Sequence, residues 1–172
     1  MKKIYYNWKE VKGMTLDVIQ KISNSNWEPD YIVGITRGGL TPASLISHWY
    51  NDMPIHTLQV QLRDSEEYDC EINLWMPEDA FGYNTKPKNI LIVDDINDSG
   101  ATLQWIKKDW QQNCLPSSPK WDNEIWHHNV RFATLVDNLS SDFDVDYSSI
   151  EINKAEDPVW IVYPWEDWWM NE

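Results

Sequence analysis

The 172 residues carry 28 Asp and Glu against 14 Lys and Arg, a formal net charge of -14, so neither nucleic acid nor an anionic membrane surface is expected as a partner, both of which demand a basic footprint. A chain of this length suits a single domain over residues 1–172 with a substantial core. No run approaches the roughly twenty apolar residues that span a bilayer, no apolar segment follows Met1-Lys2-Lys3 to form a signal peptide, and Cys70 and Cys114 are too few and too far apart for a disulfide framework or zinc site; a cytoplasmic location is expected.

Apolar positions Val11, Met14, Leu16, Val18, Ile19 and Ile22 recur at helical spacing and predict a helix over 8–24, with Thr15 as a cap for its main part. A strand at 31–35 then runs into a Gly-containing turn and an apolar helix over 41–50. The strand predicted at 55–62 is followed by a polar connection, 63–88, containing Pro77, Gly82 and Pro87. Connections of that length in compact domains are usually functional or disordered. A strand at 90–94 and a helix at 101–112 come next, then residues 113–129, whose prolines and polar residues read as an insertion. Strands at 130–136 and 148–152 complete the alternation expected of an α/β fold, a mainly parallel sheet flanked by helices.

The chemistry concentrates in Ile90-Leu-Ile-Val-Asp-Asp-Ile-Asn-Asp-Ser-Gly-Ala-Thr102. Ile90 to Val93 fit a strand buried on both faces, and Asp94 and Asp95 end it. Asn97, Asp98, Ser99 and Gly100 make a turn, and Thr102 opens the helix that continues through Leu103, Ile106 and Trp110. Backbone N–H groups and hydroxyls at such a loop and helix start can cradle a phosphate. The paired acids can accept hydrogen bonds from ribose hydroxyls or help to place Mg²⁺. Earlier in the chain, Arg37-Gly38-Gly39 after a strand lets backbone approach an anion closely while a guanidinium supplies charge.

The segment 90–102 resembles the phosphoribosyl-pyrophosphate (PRPP) signature of type I phosphoribosyltransferases, with Asn97 where that family more often has an apolar residue. Tyr31-Ile-Val-Gly-Ile-Thr-Arg-Gly-Gly is similar to the family's pyrophosphate loop. Asp157-Pro-Val-Trp-Ile-Val-Tyr-Pro-Trp-Glu-Asp resembles the base-binding hood of bacterial xanthine-guanine phosphoribosyltransferases. The resemblance implies a core over about 28–152 and a small C-terminal hood over about 153–172, with a possible N-terminal contribution. It assigns Asp94, Asp95, Asp98, Ser99, Gly100, Ala101 and Thr102 to PRPP, and Thr36, Arg37 and Gly38 to the departing pyrophosphate. Magnesium would be held by Asp94 and Asp95, directly or through PRPP and water. Trp160 would stack on the base, Ile161 would offer backbone groups to its edge, and Asp98, with Arg37, would be catalytic. The 63–88 connection falls where the family has a flexible closing loop. Dimers or tetramers are implied.

One departure bears on specificity. Where purine-type members carry a Lys that donates to the 6-oxo group, Phe132-Ala-Thr-Leu-Val-Asp-Asn places Asn138. An amide can donate or accept, so 6-oxo and 6-amino bases both stay open. So do a non-purine acceptor and a PRPP-binding regulatory protein without catalysis; Trp160-Ile161 favours a purine. The expected activity is that of a purine phosphoribosyltransferase, transfer of 5-phosphoribosyl from Mg²⁺-PRPP to a nucleobase, with a 6-oxopurine as the expected acceptor, and release of pyrophosphate.

Overall fold

The structure, a computed structural model, describes residues 1–63 and 66–170. In chain order the elements are β1 (Lys2–Tyr5), α1 (Trp8–Asn24), β2 (Tyr31–Thr36), α2 (Leu40–Trp49), β3 (Ile55–Arg63), β4 (Glu66–Cys70), α3 (Trp75–Phe81), β5 (Ile90–Asn97), α4 (Ala101–Asn113), β6 (Val130–Asn138), β7 (Tyr147–Ile152) and β8 (Val159–Val162). Six strands form the main sheet in the order β4-β3-β2-β5-β6-β7. All its pairings are parallel except β3 with β4.

The continuous apolar runs of β2 and β5 arise because helices cover both faces of the sheet. Tyr31, Val33, Ile35, Ile90 and Ile92 pack with Leu103, Ile106 and Trp110 of α4 and with Met76 and Ala80 of α3. The alternate residues Ile32, Leu91 and Val93 pack on the other face with Val18, Ile19 and Ile22 of α1 and Ala43 and Ile46 of α2. Each such aliphatic side chain contributes about 1.5–3 kcal/mol on burial, so the central strands form the rigid platform from which the loops project.

Helix α1 starts at a capping box. Asn7 Oδ1 accepts from Glu10 N–H at 2.8 Å, and Glu10 Oε2 accepts from Asn7 N–H at 2.8 Å. Thr15 is therefore no cap: it lies buried inside the helix, its hydroxyl donating to Val11 O at 2.8 Å, one turn back. The 63–88 connection also differs from expectation. Residues 64 and 65 lie outside the described ones, but β4 adds to the edge of β3 and α3 docks Met76 and Ala80 into the core. The run Glu66-Glu67-Tyr68-Asp69-Cys70 is too polar to read as a strand, because its stability comes from edge pairing rather than burial. Trp105 Nε1 of α4 donates to Glu67 Oε1 at 2.7 Å and ties the hairpin down.

Residues 113–129, read as an insertion, send large side chains into the core. A single π-turn, Trp121–Ile125, closes with Trp126 N–H donating to Trp121 O at 2.9 Å. Its indole stacks on that of Trp126 with centroids 5.1 Å apart, and both lie in the core beside Trp110. Few residues carry the burial, and they are large ones, so mean polarity concealed it.

The hood is a second, two-stranded parallel sheet of β1 and β8, with Lys3 opposite Trp160 and Ile4 opposite Ile161. Both ends of the chain thus build it. Val159, Ile161 and Tyr163 pack it onto Val11, Met14, Leu135 and Val136.

Candidate active site

Strands β2 and β5 are parallel neighbours, with Gly34 opposite Val93. From them the chain leaves in opposite directions, through α2 to β3 and through α4 to β6. The crevice beyond their carboxyl ends is a topological switch point, where open α/β sheets bind ligands. Two sequence motifs separated by more than fifty residues meet there.

From β2 come Thr36, partly buried, and Arg37, exposed and without an ion pair among the described residues; the peptide between them is cis. Gly38 sits against the Asp95 carboxylate so closely that a Cβ would collide with it. Any larger residue here would push the Asp95 carboxylate aside, so glycine permits this approach of loop backbone to acid pair.

From β5 come Asp94 and Asp95, both partly buried. Asp94 Oδ1 accepts from Asp95 N–H at 2.9 Å, and Asp95 Oδ1 accepts from Ile96 N–H at 2.8 Å. Burial, reinforced by the adjacent Asp95 charge, holds Asp94 well above the ordinary carboxylate range; burial also raises Asp95. Two desolvated carboxylates crowded together favour a cation or a donor between them. Magnesium suits that demand, since it is typically held by one or two carboxylates with water and substrate phosphates completing its shell. Among the described residues no cluster of three or more His, Cys, Asp or Glu could hold a metal ion.

The turn after β5 closes a cleft of about 180 Å³ lined by residues 94–103. Gly100 has φ +88°, and a Cβ there would stand 2.7 Å from Phe143 Cβ, so this position takes glycine on both counts. Helix α4 then begins at Ala101, with Ser99 Oγ accepting from Ala101 N–H at 3.3 Å. No acid occupies its first turn, which leaves the positive end of the helix for an anion. Ser99, Gly100, Ala101 and Thr102 all line the cleft, as does Asp98.

Trp160 projects from β8 with 53% of its surface exposed, while Ile161 beside it is buried. Tyr163 anchors the hood to the acid pair, its hydroxyl donating to Asp95 O at 2.9 Å, and stacks on Trp165 with centroids 4.6 Å apart. Asn138, at the end of β6, is 6% exposed. Its Nδ2 donates to Asp98 O at 2.8 Å, and its Oδ1 accepts from Lys154 N–H at 2.9 Å and Ser140 Oγ at 2.9 Å. The amide is engaged with the protein's own loops. Asn97 is likewise 2% exposed, with Nδ2 donating to Asp137 Oδ1 at 2.8 Å and Phe143 O at 2.7 Å. That explains a polar residue at a position where an apolar one is commoner: it fastens the 141–143 loop that backs Gly100.

Sequence reasoning passed over Lys154 and Tyr163. Lys154 forms an ion pair with Asp98 at 2.9 Å. No spacing rule marks it, although a lone Lys in the acidic stretch Glu151-Ile-Asn-Lys-Ala-Glu-Asp157 is a cue.

The Arg37 loop after β2 and the acid pair and turn after β5 thus meet at one switch point of an α/β sheet, with the two-stranded hood tied to it through Tyr163. Residues 2–167 match the phosphoribosyl transferase domain family, and the chain belongs to it. It is accordingly an enzyme of the PRPP-dependent glycosyltransferase class with the type I phosphoribosyltransferase fold. It is 24% identical to the hypoxanthine-guanine phosphoribosyltransferase of Schizosaccharomyces pombe over 95% of this chain and 89% of that protein. It is 28% identical to the xanthine-guanine phosphoribosyltransferase of Cereibacter sphaeroides, covering 83% and 71%. The purine phosphoribosyltransferase structure from Pyrococcus horikoshii superposes with a TM-score of 0.68 at 25% identity, covering 96% of this chain and 95% of that one. Among the described residues no helix is long and apolar enough to cross a membrane.

Proposed function

We propose that the protein transfers a 5-phosphoribosyl group from Mg²⁺-PRPP to a ring nitrogen of a purine and releases pyrophosphate. The observation that carries this reading is the parallel pairing of β2 with β5, which sets Gly38 against Asp95 and puts the Arg37 loop beside the phosphate cradle. The 98–102 turn and the start of α4 hold the 5′-phosphate. Asp94 and Asp95 accept from the ribose hydroxyls. Magnesium, held by that pair together with the substrate's own oxygens, would neutralise charge on the pyrophosphate.

The bond from C1 of the ribose to the pyrophosphate oxygen breaks as the base nitrogen adds, through an oxocarbenium-like state as in glycosyl transfer generally. Arg37 and the backbone of Thr36 and Gly38 meet the charge that grows on the leaving oxygen. The proton lost by the base nitrogen passes to the Asp98 carboxylate. Trp160 covers one face of the purine, and backbone groups of Ile161 read its rim. Most of the acceleration is orientation and charge placement.

Incubation with Mg²⁺-PRPP and a panel of purines and pyrimidines, with pyrophosphate release followed, tests this directly. Release dependent on a purine is expected. Tight PRPP binding with no release on any base would instead identify a regulatory PRPP-binding protein.

A further inference from the structure

Tyr163 reaches from the hood to the acid pair with a ring that has no room to move. It is 2% exposed, stacked on Trp165 with planes 3° from parallel, and 6.0 Å from the ring of Tyr6. Val11, Met14, Leu135 and Val136 pack in the same cluster, so the ring cannot shift without disturbing α1 and β6. From this fixed ring the hydroxyl donates to Asp95 O at 2.9 Å. That carbonyl shares a peptide group with Ile96 N–H, which donates to Asp95 Oδ1 at 2.8 Å. The Tyr163 hydroxyl and the Asp95 carboxylate thus grip opposite sides of one peptide. On its other side Tyr163 follows directly on β8, which is paired with β1 from Val159 to Val162. Trp160 stands three residues back on that strand, about 10 Å away at the ordinary strand rise.

We propose that Tyr163 is a positioning residue for the transfer, its hydroxyl holding the purine on Trp160 in register with the ribose on the acid pair; the role rests on the purine-transfer reading above. The two substrates sit on separate sheets, the base on the β1–β8 pair and the ribose at the end of β5. Bond formation needs the base nitrogen within about 3–3.5 Å of C1, and a misplacement of about 1 Å can cost on the order of a hundredfold in rate. The Lys154–Asp98 ion pair ties the segment before β8 to the turn after β5, so loss of the Tyr163 hydroxyl tilts the hood rather than releasing it. Each substrate then still meets its own half of the site. Ground-state binding survives, and alignment does not.

Tyr163→Phe removes the hydroxyl and keeps the ring that stacks on Trp165. Single-turnover transfer from Mg²⁺-PRPP to a purine, with the KM for each substrate, tests the assignment in the full-length wild type, Tyr163→Phe, Trp160→Ala and the double variant, each well below its thermal midpoint. Tyr163→Phe should lower the single-turnover rate about tenfold or more while both KM values stay within roughly threefold. In the Trp160→Ala background the same change should cost less than about threefold, because the stacked base that the hydroxyl places is gone. An unchanged rate in Tyr163→Phe overturns the proposal, and so does a full tenfold loss in both backgrounds. A rise in the KM for PRPP that matches the lost rate overturns it as well, since the hydroxyl would then serve Asp95 alone. A lowered midpoint with a rate that recovers on cooling reduces the bond to fold stability and overturns it too. A wild type that transfers to no purine overturns the purine-transfer reading itself, and this assignment with it.

Discussion

Asp94 illustrates how one buried carboxyl can cost the fold stability. Its carboxyl is raised above the ordinary 3.8 by burial and by Asp95. The folded state therefore binds this proton more tightly than the unfolded state, and stability is greatest below the ordinary value and declines as pH rises through the raised one. Asp94→Asn keeps the acceptor that Asp95 N–H uses but removes the charge. Its thermal midpoint at pH 7 should exceed that of the wild type, by about 2–4 °C for each kcal/mol relieved, and the difference should vanish below about pH 4. Paired with Asp95→Asn, it should weaken Mg²⁺-PRPP binding tenfold or more, about 1.4 kcal/mol or above. Scanning calorimetry across pH and titration with PRPP read the two effects; unchanged affinity in the folded double variant would sink the assignment of the acid pair.

Arg37 has the opposite signature. Exposed and unpaired among the described residues, it contributes little to the fold. Arg37→Ala should lower kcat at least as much as it raises the KM for PRPP, because the charge it meets grows as pyrophosphate departs. Steady-state kinetics distinguish this from uniform ground-state binding, in which KM alone would move.

At the scale of elements, the turn after β5 is held by the loop after β6 as much as by its own residues. Asn97 bonds to Asp137, Phe143 and Ser141, and Asp142 N–H donates to Ser99 O at 3.1 Å. Asn97→Leu would leave the buried Phe143 O, and the part-buried Asp137 and Ser141, without this partner. A loss of about 1–3 kcal/mol in urea unfolding is expected, accompanied by weaker PRPP binding as the support of Gly100 loosens. Unchanged values in both measurements would mean that the loop is held elsewhere.

The molecule as a whole separates its two jobs. In the proposed reaction the main sheet carries the sugar-phosphate cradle, and the β1–β8 hood carries Trp160. Trp160→Ala should therefore weaken purine nucleotide binding by about 1–3 kcal/mol, the range for base stacking on aromatics, with PRPP affinity nearly unchanged by calorimetry. Equal loss of both ligands would mean that the hood supports the cradle instead. The net charge of -14 does not oppose an anionic substrate in such a design, because charges beyond about 8–10 Å are screened at physiological salt and Arg37 and the head of α4 stand at the site.

What the amino-acid order determined alone is local. The apolar runs of β2 and β5, the glycines where backbone must come close, the adjacent acids and the indole before Ile161 are legible because periodicity and residue chemistry act over a few neighbours. The same local reading missed the Asn7–Glu10 cap, the edge strand β4 and the buried Trp121 and Trp126, each of which depends on a partner elsewhere or on a few large side chains in a polar stretch. Only the tertiary structure decided that β2 lies beside β5, that the two ends of the chain pair as the hood, and that Asn138 turns inward to hold Asp98 and Lys154. Those are long-range pairings, set by which surfaces exclude water together, and no window of sequence contains both partners.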